Sequence, residues 1–340
     1  WNKFKKDPLG LAGFFIIVLT IFISLFVYLI SPDNSPNANK MHLEIALKKP
    51  LFKVSFLQIP NPEVENISLL ESWFKGQPSV YNEIPISNWN EFSYQDFSEE
   101  TDLPWQALPD SNYLISNKTY YLGTDKYGRD LLSRILIGTR ISLSVGFISV
   151  FISLLIGIFL GSIAGYYKGK VDDVIMWLVN VVWSIPTLLM VIALSLAFGK
   201  GLWQVFIVVG LTMWVEIARV VRGEVLGISA KEYVEAAKVL GFHDFRIIFS
   251  HILPNIMSSV IIISAANFAA AILIEAGLSF LGIGAAPPIP SWGAMIKDHY
   301  AYIVMDKAYL ALFPGLAIML LVLAFVLVGN ALRDALDVKR

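Results

Sequence analysis

The 340-residue sequence contains no cysteine, which excludes disulfides, thiol nucleophiles and cysteine-ligated metals. Charge is scarce: Asp, Glu, Lys and Arg make up 16% of the residues and balance to a formal net charge of -1, so the broad positive field that attracts nucleic acid is missing. The four histidines, His42, His243, His251 and His299, are spread over three segments and offer no metal-ligand spacing. A phosphate-cradling G-x-x-x-x-G-K-[ST] loop is also missing, and no nucleophile stands beside a base. We therefore assign no catalytic residue, no metal and no cofactor to this chain.

Apolar length is what the sequence has in quantity. Hydrophobic residues make up 56% of it and the mean hydropathy is +0.63, well above ordinary soluble domains, so the chain reads as an integral membrane protein. Lys3, Lys5 and Lys6 precede the apolar run 9–30, which is long enough to cross a hydrocarbon layer of about 30 Å and places the amino terminus in the cytoplasm. This run exceeds the roughly 7–15 residues of a signal-peptide core and lacks a small-x-small cleavage site, so it reads as a retained anchor. Residues 31–121 then turn polar, with prolines and aromatics and no run able to span; alternation of sides makes them extracytoplasmic. The stretch 51–59 suggests strand. Trp73, Trp89 and Trp105 are either core anchors of a small domain or contacts to the membrane surface or a partner.

Asp125 and Asp130 lie in the run Gly123-Thr124-Asp125-Lys126-Tyr127-Gly128-Arg129-Asp130, which lacks the further carboxylates of a calcium loop and points instead to turn and helix-cap chemistry. The second span, 141–166, carries Ser149, Ser153, Gly157, Gly161 and Gly165 at intervals of four, a stripe suited to close helix packing. Lys168 and Lys170 mark a cytoplasmic turn, and Asp172 and Asp173 suit the start of the third span. That span runs to 198, with Asn180, Ser184 and Pro186 near its middle, where proline can kink it. The turn 199–201 leads to the fourth span, 202–221, near whose inner end Glu216 and Arg219 can pair and, with Arg222, snorkel to the cytoplasmic surface.

Residues 231–255 form a polar, helix-forming island that cannot lie in hydrocarbon and reads as a cytoplasmic loop. Here Ala237 and Gly241 are four apart on one nearly bare helical face, and Pro254 ends one helix and opens the next. The fifth span, 256–281, holds Asn267 and Glu275; a carboxylate at that depth points to a pathway or a subunit interface. Pro287, Pro288, Pro290 and Trp292 belong to an outer loop, with Trp292 suited to the interfacial belt, and a sixth span, 309–329, returns a basic carboxyl end to the cytoplasm. The expected fold is all-α with six transmembrane helices, divided as anchor 1–30, extracytoplasmic insertion 31–121 and core 122–340.

The order Glu235-Ala236-Ala237, three residues, Gly241 and then Leu253-Pro254 resembles the EAA loop of ABC-importer permeases, and His251-Ile252-Leu253-Pro254-Asn255 is similar to its dipeptide, oligopeptide and nickel branch. The 123–130 run, the following Ser133-Arg134 and Gly138-Thr139-Arg140-Ile141-Ser142-Leu143, the run Glu275-Ala276-Gly277-Leu278-Ser279-Phe280-Leu281-Gly282 and Ser291-Trp292-Gly293 resemble the same branch. Asn330 and Val338 depart from its usual tail, and the insertion is longer than the family leads one to expect.

The resemblance implies the type I importer permease fold and half of a membrane pathway in the inner membrane of a bacterium. Loop 223–254 would dock onto an ATPase through Glu235, Ala236, Ala237, Gly241, Leu253 and Pro254. A second homologous permease, two cytoplasmic ATPases carrying the ATP and Mg, and an extracytoplasmic binding protein would complete the machine. Peptides are the implied cargo, with nickel, another chelated metal or another small solute as the alternative. An ion-coupled secondary transporter would instead use titratable groups at mid-membrane, often in inverted repeats. Glu216 and Glu275 lie too near the ends of their spans for that.

Overall fold

A computed structural model describes residues 3–62, 67–98, 103–109, 113–199 and 201–336; Lys200 and the tail residues Val338, Lys339 and Arg340 lie outside them. In chain order the main helices are α1 (Pro8–Leu25), α2 (Leu69–Lys75), α3 (Leu131–Tyr167), α4 (Gly169–Trp183), α5 (Thr187–Phe198), α6 (Leu202–Ser229), α7 (Glu232–Val239), α8 (Leu253–Leu281), α9 (Trp292–His299) and α10 (Tyr309–Leu336). Among the described residues five helical stretches are long and apolar enough to cross a membrane: α1, α3, α6, the continuous run Asp244–Leu281 and α10. A sixth crossing arises if α4 and α5 count together. They meet at an 87° bend, where Pro186, lacking an N–H, separates the two helices.

The chain is not all-α. Among the described residues five strands, β1 (Phe52–Pro60), β2 (Tyr81–Trp89), β3 (Ser93–Asp96), β4 (Gln106–Ala107) and β5 (Leu114–Tyr120), form an antiparallel sheet in the order β4-β3-β2-β1-β5. The stretch 51–59 suggests strand and β1 occupies it, whereas the rest of the sheet does not show in the sequence, because a strand that buries residues on both faces does not alternate cleanly. In β1, Val54 and Phe56 pack with Ile45 and Tyr120, whereas Leu57 packs with Ile86 and Tyr94.

Contacts divide the described chain into residues 1–20, 142–286 and 318–340 on one hand and 21–141 and 287–317 on the other. The second of these units holds the sheet, and its bounds differ from a division drawn on composition, at 30/31 and 121/122. In the first unit α6 is central. Gly157, Gly161 and Gly165 of α3 abut it so closely that an added Cβ would stand 2.6 Å from Ile217 Cβ, 2.6 Å from the Ala218 carbonyl and 2.8 Å from the Arg222 carbonyl. Ser149 completes the stripe by donating to the Phe206 carbonyl at 3.0 Å. Arg222 clasps Asp172 at the start of α4 with two bonds of 2.5 and 2.6 Å, a partner that sequence spacing does not suggest.

In the second unit, Glu83 on β2 accepts from Lys118 at 2.6 Å, and from Lys40 and Gln58 at 3.2 Å each. Burial works against ionisation of Glu83, but the Lys118 and Lys40 ammonium groups prevail and hold its carboxyl below the usual range. His42, 3.8 Å from Glu83, is pushed below the ordinary imidazole value by burial, against the pull of the carboxylate. A depressed carboxyl contributes stability above its unfolded value that is lost as pH falls toward its folded one; a depressed imidazole likewise favours the fold while neutral. Both signs agree, so hydrogen-exchange protection of β1 and β5 should weaken as pH falls from about 6.5 to below about 4. Protection that rises over that window would contradict this assignment.

Candidate functional site

Helix α7 begins with Glu232 and Glu235 in its first turn, where carboxylates favour the positive end of the helix. Its end explains the spacing of Ala237 and Gly241. Phe242 N–H donates to the Ala237 carbonyl at 3.1 Å, and Gly241 N–H to the Lys238 carbonyl at 3.0 Å, a paired closure that requires a left-handed residue at the second position. Gly241 supplies it with φ +79°. The expected bare face is therefore corrected: Gly241 lies past the end of the helix, and Ala237 is only 4% exposed.

Ala237 and Val234 belong instead to a core with Ile247, Ile248, Ile252 and Ile256 and with Val221, Val225 and Ile228 of α6. Tyr166 of α3 joins it and donates to Asp244 at 2.7 Å. What α7 presents outward is Glu235 and Ala236, and beyond them Val239 and Leu240, which are 88% and 73% exposed, with Phe245 and Phe249 exposed nearby. Leu253 is half-buried and Pro254 exposed. Pro254 lies in the first turn of α8, as expected of a proline that opens a helix, but the preceding π-helical turn, Ile247–Ile252, adjoins it directly, so residues 244–281 form one continuous helical stretch.

A second polar region lies on the apolar helices. Arg219 donates to Asn180 at 2.7 Å, and its guanidinium stacks 3.6 Å from the Trp183 ring centroid. Among the described residues no ion pair joins Arg219 to Glu216, contrary to expectation. Glu216 is exposed and lines a cavity of about 170 Å³ with Trp183, Thr187 and Thr212 at the α4–α5 break. The signal in the sequence was the cluster Asn180, Ser184, Glu216 and Arg219 within apolar segments, read there as a kink and as snorkelling.

Asn267 and Glu275 are both 1% exposed within this chain. Ser279 donates to Glu275 at 2.7 Å and accepts from Ala285 N–H at 3.3 Å, while Gly282, at φ +80°, closes α8. The run from Glu275 to Gly282 is thus a helix terminus. Trp292 is no belt residue either: it is 2% exposed, donates to the Ile135 carbonyl at 2.9 Å and fills the space left by Gly138. Of the three tryptophans in the sheet segment, Trp73 packs, whereas Trp89 and Trp105 are 45% and 50% exposed.

Residues 157–340, more than half of the chain, match the family described as binding-protein-dependent transport system inner membrane component. The chain belongs to that family. It is a permease subunit of an ABC importer, a multi-pass membrane component that works with other subunits. Residues 1–50 of the permease match the N-terminal transmembrane domain of oligopeptide transport permease C. Among similar proteins are the glutathione transport system permease GsiD of Pectobacterium atrosepticum, 43% identical over 66% of this chain and 74% of that one, and the oligopeptide permease OppC of Bacillus subtilis, 40% identical over 66% and 73%. The dipeptide permease DppC of Bacillus subtilis is 41% identical over 69% and 73%. An inward-facing structure of the MetNI methionine ABC transporter aligns with a TM-score of 0.51 at 17% identity, covering 60% of the permease and 97% of that chain, a likeness of fold.

Proposed function

We propose that this permease carries peptides into a bacterial cell and forms half of the pathway with a second, homologous permease. The names of the three relatives share peptide chemistry, which favours peptides over nickel, another chelated metal or another solute. In this reading α4 and α5 together make one of six crossings, both termini face the cytoplasm, and the sheet domain faces outward toward a binding protein. The polar cluster Asn180, Glu216 and Arg219 borders the pathway, because such groups are disfavoured against lipid. Two ATPases carry the ATP and Mg, and this chain supplies no catalytic group.

The observation that carries the coupling role is the two-sidedness of the α7 turn. One side, Val234 and Ala237, is locked in the core shared by α3, α6 and α8, whereas Val239 and Leu240 stand out as an apolar knob. An ATPase that covers the knob and moves would turn the helices with it, since a packed core transmits displacement as a unit. Glu235 and Ala236 flank the contact, Gly241 sets its turn, and Leu253 and Pro254 continue the lever into α8.

Leu240→Asp tests this. Burying a leucine contributes about 1.5–3 kcal/mol, so its loss should weaken ATPase retention roughly tenfold or more and reduce uptake in proportion. Membrane yield and melting temperature should hold, because the residue is exposed in this chain. Full ATPase copurification with normal uptake would defeat the proposal.

A further inference from the structure

Helix α2, Leu69-Leu70-Glu71-Ser72-Trp73-Phe74-Lys75, is short but sharply two-faced. At 100° per residue, Leu69, Leu70, Trp73 and Phe74 occupy one side, and Glu71, Ser72 and Lys75 the other. The polar side is internally satisfied, since Lys75 donates to Glu71 at 2.8 Å. The apolar side is not covered: Leu69 is 88% exposed, Leu70 67% and Phe74 64%. Three large apolar groups held in water on one turn-and-a-half of helix are an unusual arrangement in a segment otherwise rich in polar residues.

The place of this helix says what covers it. Trp73 Nε1 donates at 2.6 Å to the carbonyl of Leu25, the last residue of α1. At about 1.5 Å per residue the 18 residues of α1 span about 27 Å, close to the hydrocarbon thickness, so Leu25 stands at the boundary with the headgroups. Arg140 fixes the same junction, donating to the Ser24 carbonyl at 3.2 Å and to the Phe74 carbonyl at 2.7 Å. An aromatic row, Phe22 to Phe26 at 4.7 Å, Phe26 to Trp73 at 5.6 Å and Trp73 to Phe74 at 5.8 Å, continues the exposed apolar surface of α1 onto α2. Gly76, at φ +85°, stops the helix, and Gln77 N–H ties the exit from it to the Asn34 carbonyl at 2.8 Å.

We propose that α2 is an interfacial anchor, with Leu69, Leu70 and Phe74 immersed among the acyl-chain ends of the leaflet into which α1 emerges and with Glu71 and Lys75 facing water. The occupant is the lipid surface, because the apolar face is continuous with a membrane span and ends at its boundary. Trp73 suits that level, with its ring among aromatics and its N–H on a helix-end carbonyl. The anchor fixes the height of the sheet domain's attachment at the bilayer, a role separate from peptide transport and independent of the cargo or the ATPase contact.

The lack of native cysteine makes the test direct. Leu69→Cys, Phe74→Cys, Glu71→Cys and Lys75→Cys are each spin-labelled in the full-length chain in nanodiscs of phosphatidylethanolamine and phosphatidylglycerol. Collision with oxygen, which concentrates in lipid, is compared with collision with a water-soluble nickel chelate. Labels at 69 and 74 should favour oxygen severalfold over the chelate, and labels at 71 and 75 should show the reverse. Equal, water-like accessibility at all four positions overturns the proposal. Shielding of 69 and 74 from both reagents also overturns it, since it would place protein rather than lipid on the apolar face. All four labels sit on exposed side chains, and retention of the parent chain's melting temperature verifies that each variant is folded.

Discussion

Replacing Gly161 by leucine should prevent α3 from seating on α6 and remove the folded permease from the membrane fraction. An added Cβ at 161 already stands 2.6 Å from the Ala218 carbonyl oxygen and 2.9 Å from Val221 Cβ. The nearer obstacle is backbone within a helix, which no rotamer change can clear, and Gly157 and Gly165 make equally close contacts one turn away on each side. In a membrane the two helices gain little from hiding apolar surface, so their affinity depends on this close approach. Gly161→Ala should cost about 1–3 kcal/mol by overpacking, less what alanine gains in helix propensity. Gly161→Leu adds three more carbons and should exceed about 4 kcal/mol, the range that marks a broken core. Gly223→Ala on α6 is the control: no atom lies within 4 Å of its added Cβ, so stability should hold or rise slightly. Thermal unfolding of the purified chains and membrane yield decide the matter. A Gly161→Leu protein that melts with the parent would show that the stripe does not hold α3 to α6.

That stripe was fully legible in the sequence, because spacing by four on an apolar helix has one dominant physical use. The presence of the long apolar helices was legible for a similar reason, since hydrocarbon demands length and internal hydrogen bonding together, but their ends were not: α3 begins at Leu131 rather than 141, and α6 runs to Ser229 rather than 221. What sequence spacing could not resolve was direction. Ala237 and Gly241 share a face only if the helix reaches 241, and it stops at Val239 because Gly241 takes a left-handed turn. Glu275 within an apolar run says that a carboxylate must be satisfied; it does not say that Ser279, one turn further along the same helix, is its partner. The sheet was legible only at 51–59, where β1 lies. Its other strands bury few residues and draw partners from distant segments, as when Lys40, Gln58 and Lys118 converge on Glu83, so no local period reveals them.

Asp125→Ala should be the most damaging single change in the segment between the first two long spans. Asp125 is fully buried, and its carboxylate accepts from Tyr127 N–H at 2.8 Å, from Arg129 N–H at 3.0 Å and from Arg129 Nε at 2.7 Å, with Arg134 Nε 3.7 Å away. Around it the loop is closed tightly: Gly128, at φ +71°, lies where a Cβ would collide with the His42 carbonyl, and Asp130 caps the first turn of α3 by accepting from Ser133 N–H at 2.9 Å. Alanine would leave two backbone donors orphaned and two buried guanidinium groups without their common counter-charge. Breaking a buried pair from one side typically costs about 3–5 kcal/mol, because the remaining charge keeps its desolvation penalty. Asp125→Asn should fall between parent and alanine, since an amide oxygen still accepts from both backbone donors but brings no charge. Limited proteolysis of the purified chain should therefore cut within 31–130 fastest for Asp125→Ala and at an intermediate rate for Asp125→Asn. Calcium or a chelator should leave the parent's rate unchanged, because the protein's own donors already occupy the carboxylate. A calcium-dependent shift in the parent would mean that the loop serves an ion after all, and equal rates in all three chains would mean that Asp125 does not hold it.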